Sequence, residues 1–302
     1  MDAEDAGGAW RTAYLTPGRL VEATGAAMLE LLGALLPHSS AAIELDGGRS
    51  ATVAAAASLL RAAPCIVVLL GSGASASYGV PTKLAASTEN VPLKRYGPVR
   101  ETAMRAPTHG LYGDLKRLLA ALDAESCIVS TNIDGLATRE GLKELQLHGT
   151  TARMQCAACQ TVWPTPAGWS LREPPTTCSG CGRLALFNLP TNVLDEDDIV
   201  WRDIERDRDE ARAFLDAAAG APLAFLAIGT ATHVHSLTPE LRLVVEARAA
   251  RGDATQVVWV NRDASGLDRA GYGRGPLELL GDAAEVVGEL AGALAHLEES
   301  NR

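Results

Sequence analysis

Polar residues that could carry out chemistry are concentrated near the middle of the chain. The apolar stretch Cys127-Ile128-Val129 predicts a buried strand, and Asn132 and Asp134 follow directly after it. Ligands of open α/β sheets bind outside the carboxyl ends of the strands, so these two side chains are expected at a ligand site. His148 comes soon afterwards, and its unperturbed pKa, near 6.5, suits a general base at neutral pH.

Four cysteines follow this histidine as two Cys-x-x-Cys pairs with 18 residues between them; they are Cys156, Cys159, Cys178 and Cys181. This spacing predicts one tetrahedral zinc ion rather than disulfides, because the acidic N-terminus of the chain does not resemble an export signal. Four thiolates leave no coordination position for water, so the predicted zinc is structural. Cys65 and Cys127 each begin an apolar run and are interpreted as buried thiols.

A second candidate site follows the apolar run Cys65–Leu70, which is typical of a parallel strand buried on both faces. The run ends in Gly71-Ser72-Gly73-Ala74-Ser75. Glycines in this position allow the backbone to approach a phosphate closely, and a helix N-terminus behind them would supply N–H donors. Taken alone, the pattern is compatible with a dinucleotide site or with a simple tight turn.

The elements that would position these residues alternate between strands and helices. Further strands are predicted at 223–228, ending in Gly229-Thr230, and at 256–260, ending in Asn261. Helices are predicted at 19–36, 49–62, 109–122, 195–219, 239–251 and 284–297, whereas 82–107 is interpreted as a mobile loop over a ligand. The fold class is therefore α/β, with a Rossmann-like doubly wound parallel sheet.

The composition limits the possible partners. Lys+Arg total 27 and Asp+Glu total 37, which gives a net charge of −10. This balance argues against nucleic acid and against an anionic membrane surface, both of which favour a clustered basic face. No apolar run approaches the roughly 20 residues of a membrane-spanning helix, so a soluble cytoplasmic protein is expected.

The motifs taken together, in this order, resemble the sirtuin (Sir2-like) family of NAD-dependent protein deacylases. They are Gly71-Ser72-Gly73-Ala74-Ser75, Gly79-Val80-Pro81, Thr131-Asn132-Ile133-Asp134-Gly135, Leu147-His148-Gly149, the two cysteine pairs, Gly229-Thr230-Ala231, Val260-Asn261-Arg262-Asp263 and Gly281-Asp282-Ala283. The resemblance implies a Rossmann-like NAD-binding domain over 63–150 and 186–302, a small zinc-ribbon module over 151–185, and an N-terminal helical extension over 1–62.

The resemblance also implies roles for individual residues. NAD would be the co-substrate, with its pyrophosphate against Gly71, Ser72, Gly73, Ala74 and Ser75 and its phosphates near Gly229 and Thr230. Asn132 and Asp134 would line the nicotinamide-ribose pocket, where Asp134 accepts a hydrogen bond from the carboxamide and Asn132 contributes to catalysis.

On the adenosine side, Asn261 would lie near the ribose, and Asp282 with Ala283 at the adenine edge. His148 would be the general base on a ribose hydroxyl. The expected partner is an acylated protein or a small acylated molecule.

The chain departs from the family pattern mainly where an acyl-lysine peptide would bind. Thr82-Lys83-Leu84 replaces the usual Asp-Phe-Arg, and no Gly-Glu follows the second cysteine pair. Pro190 lies there instead, and it lacks the N–H that strand pairing with a peptide would use. Three hypotheses remain: a divergent NAD-dependent deacylase, an NAD hydrolase or ADP-ribosyltransferase on a non-peptide acceptor, and a non-catalytic module that binds NAD or ADP-ribose.

Overall fold

The computed structural model describes residues 48–82, 92–170, 172, 177–190, 199–230, 238–262 and 276–299. The predicted helix at 19–36 lies outside these ranges, as does the acidic start at 195 of the predicted helix 195–219. Lys83 and Leu84, of the altered Thr82-Lys83-Leu84 segment, lie outside them too.

The central element is a six-stranded parallel sheet. Its strands are β1 (Cys65–Leu70), β2 (Glu125–Ser130), β3 (Glu144–Gln146), β7 (Leu223–Ile228), β8 (Thr255–Asn261) and β9 (Leu277–Leu280). They are arranged in the order β3-β2-β1-β7-β8-β9, and all neighbouring pairs are parallel. This order is that of a Rossmann-like doubly wound sheet, in which the order of the strands reverses between β1 and β7. The predicted fold class is confirmed.

Helices cover both faces of this sheet. They are α1 (Gly48–Ala62), α2 (Pro92–Arg105), α3 (Leu111–Ala120), α4 (Leu136–Arg139), α5 (Arg202–Ala217), α6 (Thr238–Ala250) and α7 (Ala283–Glu299). Alternate residues of β1 enter two separate cores: Ile66 and Val68 pack with α1, α3 and α7, whereas Val67 and Leu69 pack with α5 and α6. Because both faces are covered, the strands are continuous apolar runs rather than alternating ones.

Helix α2 corrects one prediction, since 92–105 is helical although 82–107 was expected to be a loop. Leu93, Tyr96, Val99 and Ala103 form its buried face at helical spacing. Pro98 lies on the exposed side and obscured this pattern in the sequence. The helix packs against strands of the cysteine module as well as against the main core, so it connects the two.

The cysteine module contains a small antiparallel sheet of β4 (Thr150–Cys156), β5 (Thr161–Pro164) and β6 (Leu186–Asn188), in the order β5-β4-β6. Its core is aromatic, with the ring of Trp169 edge-on to Phe187 at a centroid distance of 4.9 Å. No helix in the described part of the chain is long and apolar enough to cross a membrane.

Candidate functional site

The loop from Gly71 to Ser75 packs closely against the end of β7. The N–H of Gly73 donates to the carbonyl of Gly229 at 2.9 Å, and a Cβ on Gly71 would lie 2.5 Å from the same oxygen. Gly229 has φ +60°, and a Cβ there would lie 2.2 Å from the nitrogen of Ala74. The glycines therefore allow two strand ends to meet. The helix predicted behind them is a 3₁₀ helix, Ser72–Tyr78.

Thr230 lies at this junction with an unusual property. The residue is 2% exposed, and its hydroxyl oxygen has no hydrogen-bond partner within the described ranges. Its carbonyl oxygen accepts a hydrogen bond from the side-chain amide of Asn261 at 3.0 Å. A buried hydroxyl without a partner destabilises a protein by about 1–3 kcal/mol, so this atom is suited to a ligand oxygen.

Asn132 and Asp134 follow β2 and form a hydrogen-bonded group with Ser75 of the 3₁₀ helix and Tyr112 of α3. The hydroxyl of Ser75 donates to Asp134 Oδ2 at 2.8 Å and lies 2.7 Å from the hydroxyl of Tyr112. Asn132 Nδ2 donates to Ser75 Oγ at 3.3 Å and to the Tyr112 hydroxyl at 3.4 Å. All four residues are buried. We call them the Ser75–Tyr112–Asn132–Asp134 cluster.

The pKa values of two carboxyl groups are raised, those of Asp134 in the cluster and of Glu144 near it. Burial raises the pKa of Asp134, although hydrogen bonds from the Leu136 N–H and the Ser75 hydroxyl oppose the rise. Burial, together with the charge of Asp134, raises the pKa of Glu144 to about 7. Glu144 Oε1 accepts hydrogen bonds from the backbone and side chain of Thr138 and from Gln146.

His148 lies in the turn between β3 and β4 and is partly buried. The N–H of Leu147 donates to the carbonyl of Ser130 at 3.0 Å, which keeps this turn beside the end of β2. Gly149 has φ +67°, and a Cβ there would lie 2.1 Å from the carbonyl oxygen of Asn188. The segment containing His148 is thus held between the main sheet and β6.

The residues expected on the adenosine side lie at the ends of β8 and β9. The N–H of Gly281 donates to the carbonyl of Asn261 at 2.9 Å, which brings the two ends together. Asp282 Oδ1 accepts a hydrogen bond from the N–H of Ala284 at 3.0 Å and so caps α7, and Ala283 is buried. Every site residue predicted outside the cysteine module thus lies at or just beyond the carboxyl end of a strand.

The four cysteines of the module converge. Their sulfur atoms all lie within 4.8 Å of one another, with 3.6 Å between Cys156 and Cys181 and 3.8 Å between Cys159 and Cys178. Four thiolates at about 2.3 Å from a tetrahedral zinc ion would be separated by about 3.8 Å. Backbone N–H groups lower the pKa of Cys178 to about 7, whereas the neighbouring cysteines raise the pKa of Cys159 to about 12. The geometry fits a zinc ion.

Three features of the site were missed by the sequence reasoning. Tyr112 lies within a predicted helix without any pattern that marks a site, and Glu144 belongs to no motif. Asn188, which is fully buried, donates to Gln155 Oε1 at 2.7 Å and to the carbonyl of Val200 at 3.0 Å. None of these contacts has a sequence pattern, because each joins distant parts of the chain.

Comparison with known proteins finds a match to a family model. The parallel doubly wound sheet with polar strand ends places the chain among Rossmann-like α/β proteins, and it carries in addition a four-cysteine module compatible with a metal ion. Residues 95–236 match the family model described as the Sir2 family. The matched segment contains the motifs of Asn132, Asp134 and His148 and the four cysteines, so the comparison agrees with the resemblance seen in the sequence.

Two curated relatives and one solved structure illustrate the similarity. An NAD-dependent protein deacylase from Thermus thermophilus is 31% identical over 128 residues, which cover 41% of this chain and 45% of the relative. An NAD-dependent protein deacetylase from Haloarcula marismortui is 28% identical over 251 residues, covering 71% of this chain and 85% of the relative. A mutant Sir2 homologue in complex with ADP-ribose has a TM-score of 0.63 at 20% identity, with coverage of 81% and 97%, and supports the fold.

Proposed function

We propose that the protein is an NAD-dependent deacylase of the sirtuin type. It would cleave the nicotinamide–ribose bond and transfer an acyl group, from a protein acyl-lysine or a small acylated amine, to ADP-ribose. The observation that carries the proposal is the Ser75–Tyr112–Asn132–Asp134 cluster, which lies at the carboxyl edge of the sheet, near the point where the strand order reverses between β1 and β7. This is where doubly wound sheets bind their ligands.

The residues at this edge fit NAD. The unpartnered hydroxyl of Thr230 offers a donor for a phosphate oxygen, and it lies against the glycine loop. Asn261 and Asp282 would contact the adenosine half. The names of the curated relatives and the ADP-ribose complex of the structural neighbour are consistent with this assignment.

Asp134, Asn132 and His148 would each have a separate role in the reaction. Asp134, held in place by the Ser75 hydroxyl and the Leu136 N–H, would accept a hydrogen bond from the nicotinamide carboxamide. Asn132 would help to orient the ribose. When bound, NAD supplies the ribose carbon that receives the acyl oxygen as nicotinamide departs. His148 would then remove a proton from a ribose hydroxyl, for which an imidazole is suited.

The four cysteines would hold one zinc ion away from this chemistry. Four thiolates leave no position for water or substrate, so the ion would stabilise the module and take no part in acyl transfer.

A second function is favoured by one observation on the peptide side. Strand β6 has three residues, is paired to β4 and is followed closely by Pro190, which has no N–H for pairing with a substrate strand. An enzyme with this alteration could transfer the ADP-ribosyl group to water or to a non-peptide acceptor instead.

The test is nicotinamide release from NAD by the purified chain, with and without a panel of acyl-lysine peptides. Release that requires an acyl donor is the expected result. Release without a donor would favour hydrolysis or ADP-ribosyl transfer, and no release despite NAD binding would contradict both enzymatic functions.

The role of His148 is tested in the same assay. His148→Ala is expected to abolish acyl transfer while NAD binding, measured by calorimetry, is retained. His296→Ala, on the exposed side of α7, serves as the matched control and should leave acyl transfer unchanged. Unchanged deacylation by His148→Ala would rule out this residue as the base.

A further inference from the structure

We propose that Tyr112 is a positioning residue, whose hydroxyl proton fixes the Ser75 hydroxyl in the orientation that donates to Asp134. This inference rests on the proposed function, because it concerns how the nicotinamide side of the site is organised. No sequence motif points to Tyr112. The number of protons available in the cluster supports this role.

The direction of each hydrogen bond in the cluster is determined. A serine hydroxyl has one proton, and the ionised carboxylate of Asp134 can only accept, so Ser75 donates to Asp134. Ser75 has no second proton for Tyr112, and the 2.7 Å contact therefore requires Tyr112 to be the donor. The two protons of Asn132 Nδ2 complete the set, one to Ser75 and one to Tyr112.

The surroundings of the Tyr112 phenol keep it protonated and fixed in place as a donor to Ser75. Tyr112 is 1% exposed, and its burial together with the charge of Asp134 raises its pKa well above 10, so it keeps its proton at any physiological pH. Its ring stacks on that of Tyr78 at a centroid distance of 5.4 Å. Its backbone N–H donates to the hydroxyl of Tyr78 at 3.1 Å, which fixes the backbone as well.

The consequence concerns preorganisation. Without the phenol proton, the Ser75 hydroxyl could rotate away from Asp134, and Asn132 would lose one of its two acceptors. Groups that bind and activate a ligand are effective when they do not have to reorganise on binding. Tyr112 would thus act on NAD through Ser75, without touching the reacting atoms.

Tyr112→Phe tests this proposal, because it removes the hydroxyl and keeps the ring. The loss of one buried hydrogen bond should lower kcat/KM for NAD by about tenfold and weaken NAD binding by a similar factor. Tyr96→Phe is the matched control, because Tyr96 is also buried but lies in α2, outside the cluster. It should change both quantities by less than about twofold, even if it lowers stability.

A double-mutant cycle separates a positioning role from general damage. If Tyr112 acts through Ser75, Tyr112→Phe should have little further effect on NAD affinity in a Ser75→Ala background. Full additivity of the two changes, or wild-type kinetics in Tyr112→Phe, would overturn the inference while leaving the proposed function intact. A wild-type chain that neither binds NAD nor releases nicotinamide would instead refute the proposed function and, with it, the role of Tyr112.

Discussion

Gly229 offers a sharp test of the contact between the two strand ends that form the site. The perturbation is Gly229→Ala, which adds a single methyl group at φ +60° and 2.2 Å from the backbone nitrogen of Ala74. Gly220→Ala is the matched control, because Gly220 also has a positive φ, +79°, but nothing lies within 4 Å of its added Cβ. The control measures the conformational cost of alanine alone.

The expected magnitudes follow from these two environments. A left-handed conformation costs a non-glycine residue about 1–2 kcal/mol, and this is partly offset because alanine also restricts the unfolded chain. Gly220→Ala should therefore lower the free energy of unfolding by about 1 kcal/mol. In Gly229→Ala the neighbouring backbone must also move by about 1 Å, and such overpacking adds about 1–3 kcal/mol. The total should be about 2–4 kcal/mol.

Urea denaturation followed by circular dichroism measures both variants at equilibrium. The result that would refute the close approach is a free energy of unfolding for Gly229→Ala within about 0.5 kcal/mol of that for Gly220→Ala. NAD affinity provides a second comparison, since only Gly229→Ala displaces the glycine loop and Thr230. We expect weaker NAD binding in that variant and unchanged binding in the control.

Two further predictions concern the carboxyl group of Glu144 and the predicted zinc site. Glu144 has a pKa of about 7 in the folded protein, above its usual 4.5, so its contribution to stability is complete below pH 4.5 and is lost as the pH rises through 7. The loss in the free energy of unfolding should be at most about 3 kcal/mol. In Glu144→Gln this pH dependence should be absent from urea unfolding curves measured between pH 4.5 and 8. An identical pH dependence in both proteins would contradict the raised pKa of Glu144. Elemental analysis should find one zinc ion per chain, and Cys156→Ser should lose the ion and have a lower melting temperature. Cys127→Ser, which removes a thiol outside the module, should keep the metal. Wild-type protein without zinc would exclude the predicted site.

The main sheet was largely predictable because of how its strands are buried. Strands β1, β7 and β8 are covered on both faces, and such strands need continuous apolar sequence, which is visible directly. Strands β3 and β9 have three and four residues, too few for a periodic pattern to stand out. Helix α2 was missed because Pro98 and the preceding Gly97 argue against a helix locally, whereas packing of its other face favours one.

The site was predictable only in part, for a related reason. Asn132 and Asp134 stand out as candidates because a strand must end before them, and the four cysteines because their spacing is typical of a metal site. The Tyr112 contact was invisible, since a tyrosine on the buried face of a helix looks like core and only the tertiary structure shows where its hydroxyl lies. Asn188 was missed similarly.

The position of β1 has a consequence for the synthesis of the chain. Strand β1 is paired to β2 on one side and to β7 on the other, and it ends at residue 70 whereas β7 ends at residue 228. At a synthesis rate of about 5–20 residues per second, one hydrogen-bonding edge of the apolar strand β1 remains unpaired for roughly 8–30 s. Pairing between such distant strands is intrinsically slow to form. The nascent chain on the ribosome, rather than the finished protein, is therefore the form most exposed to aggregation and most dependent on chaperones.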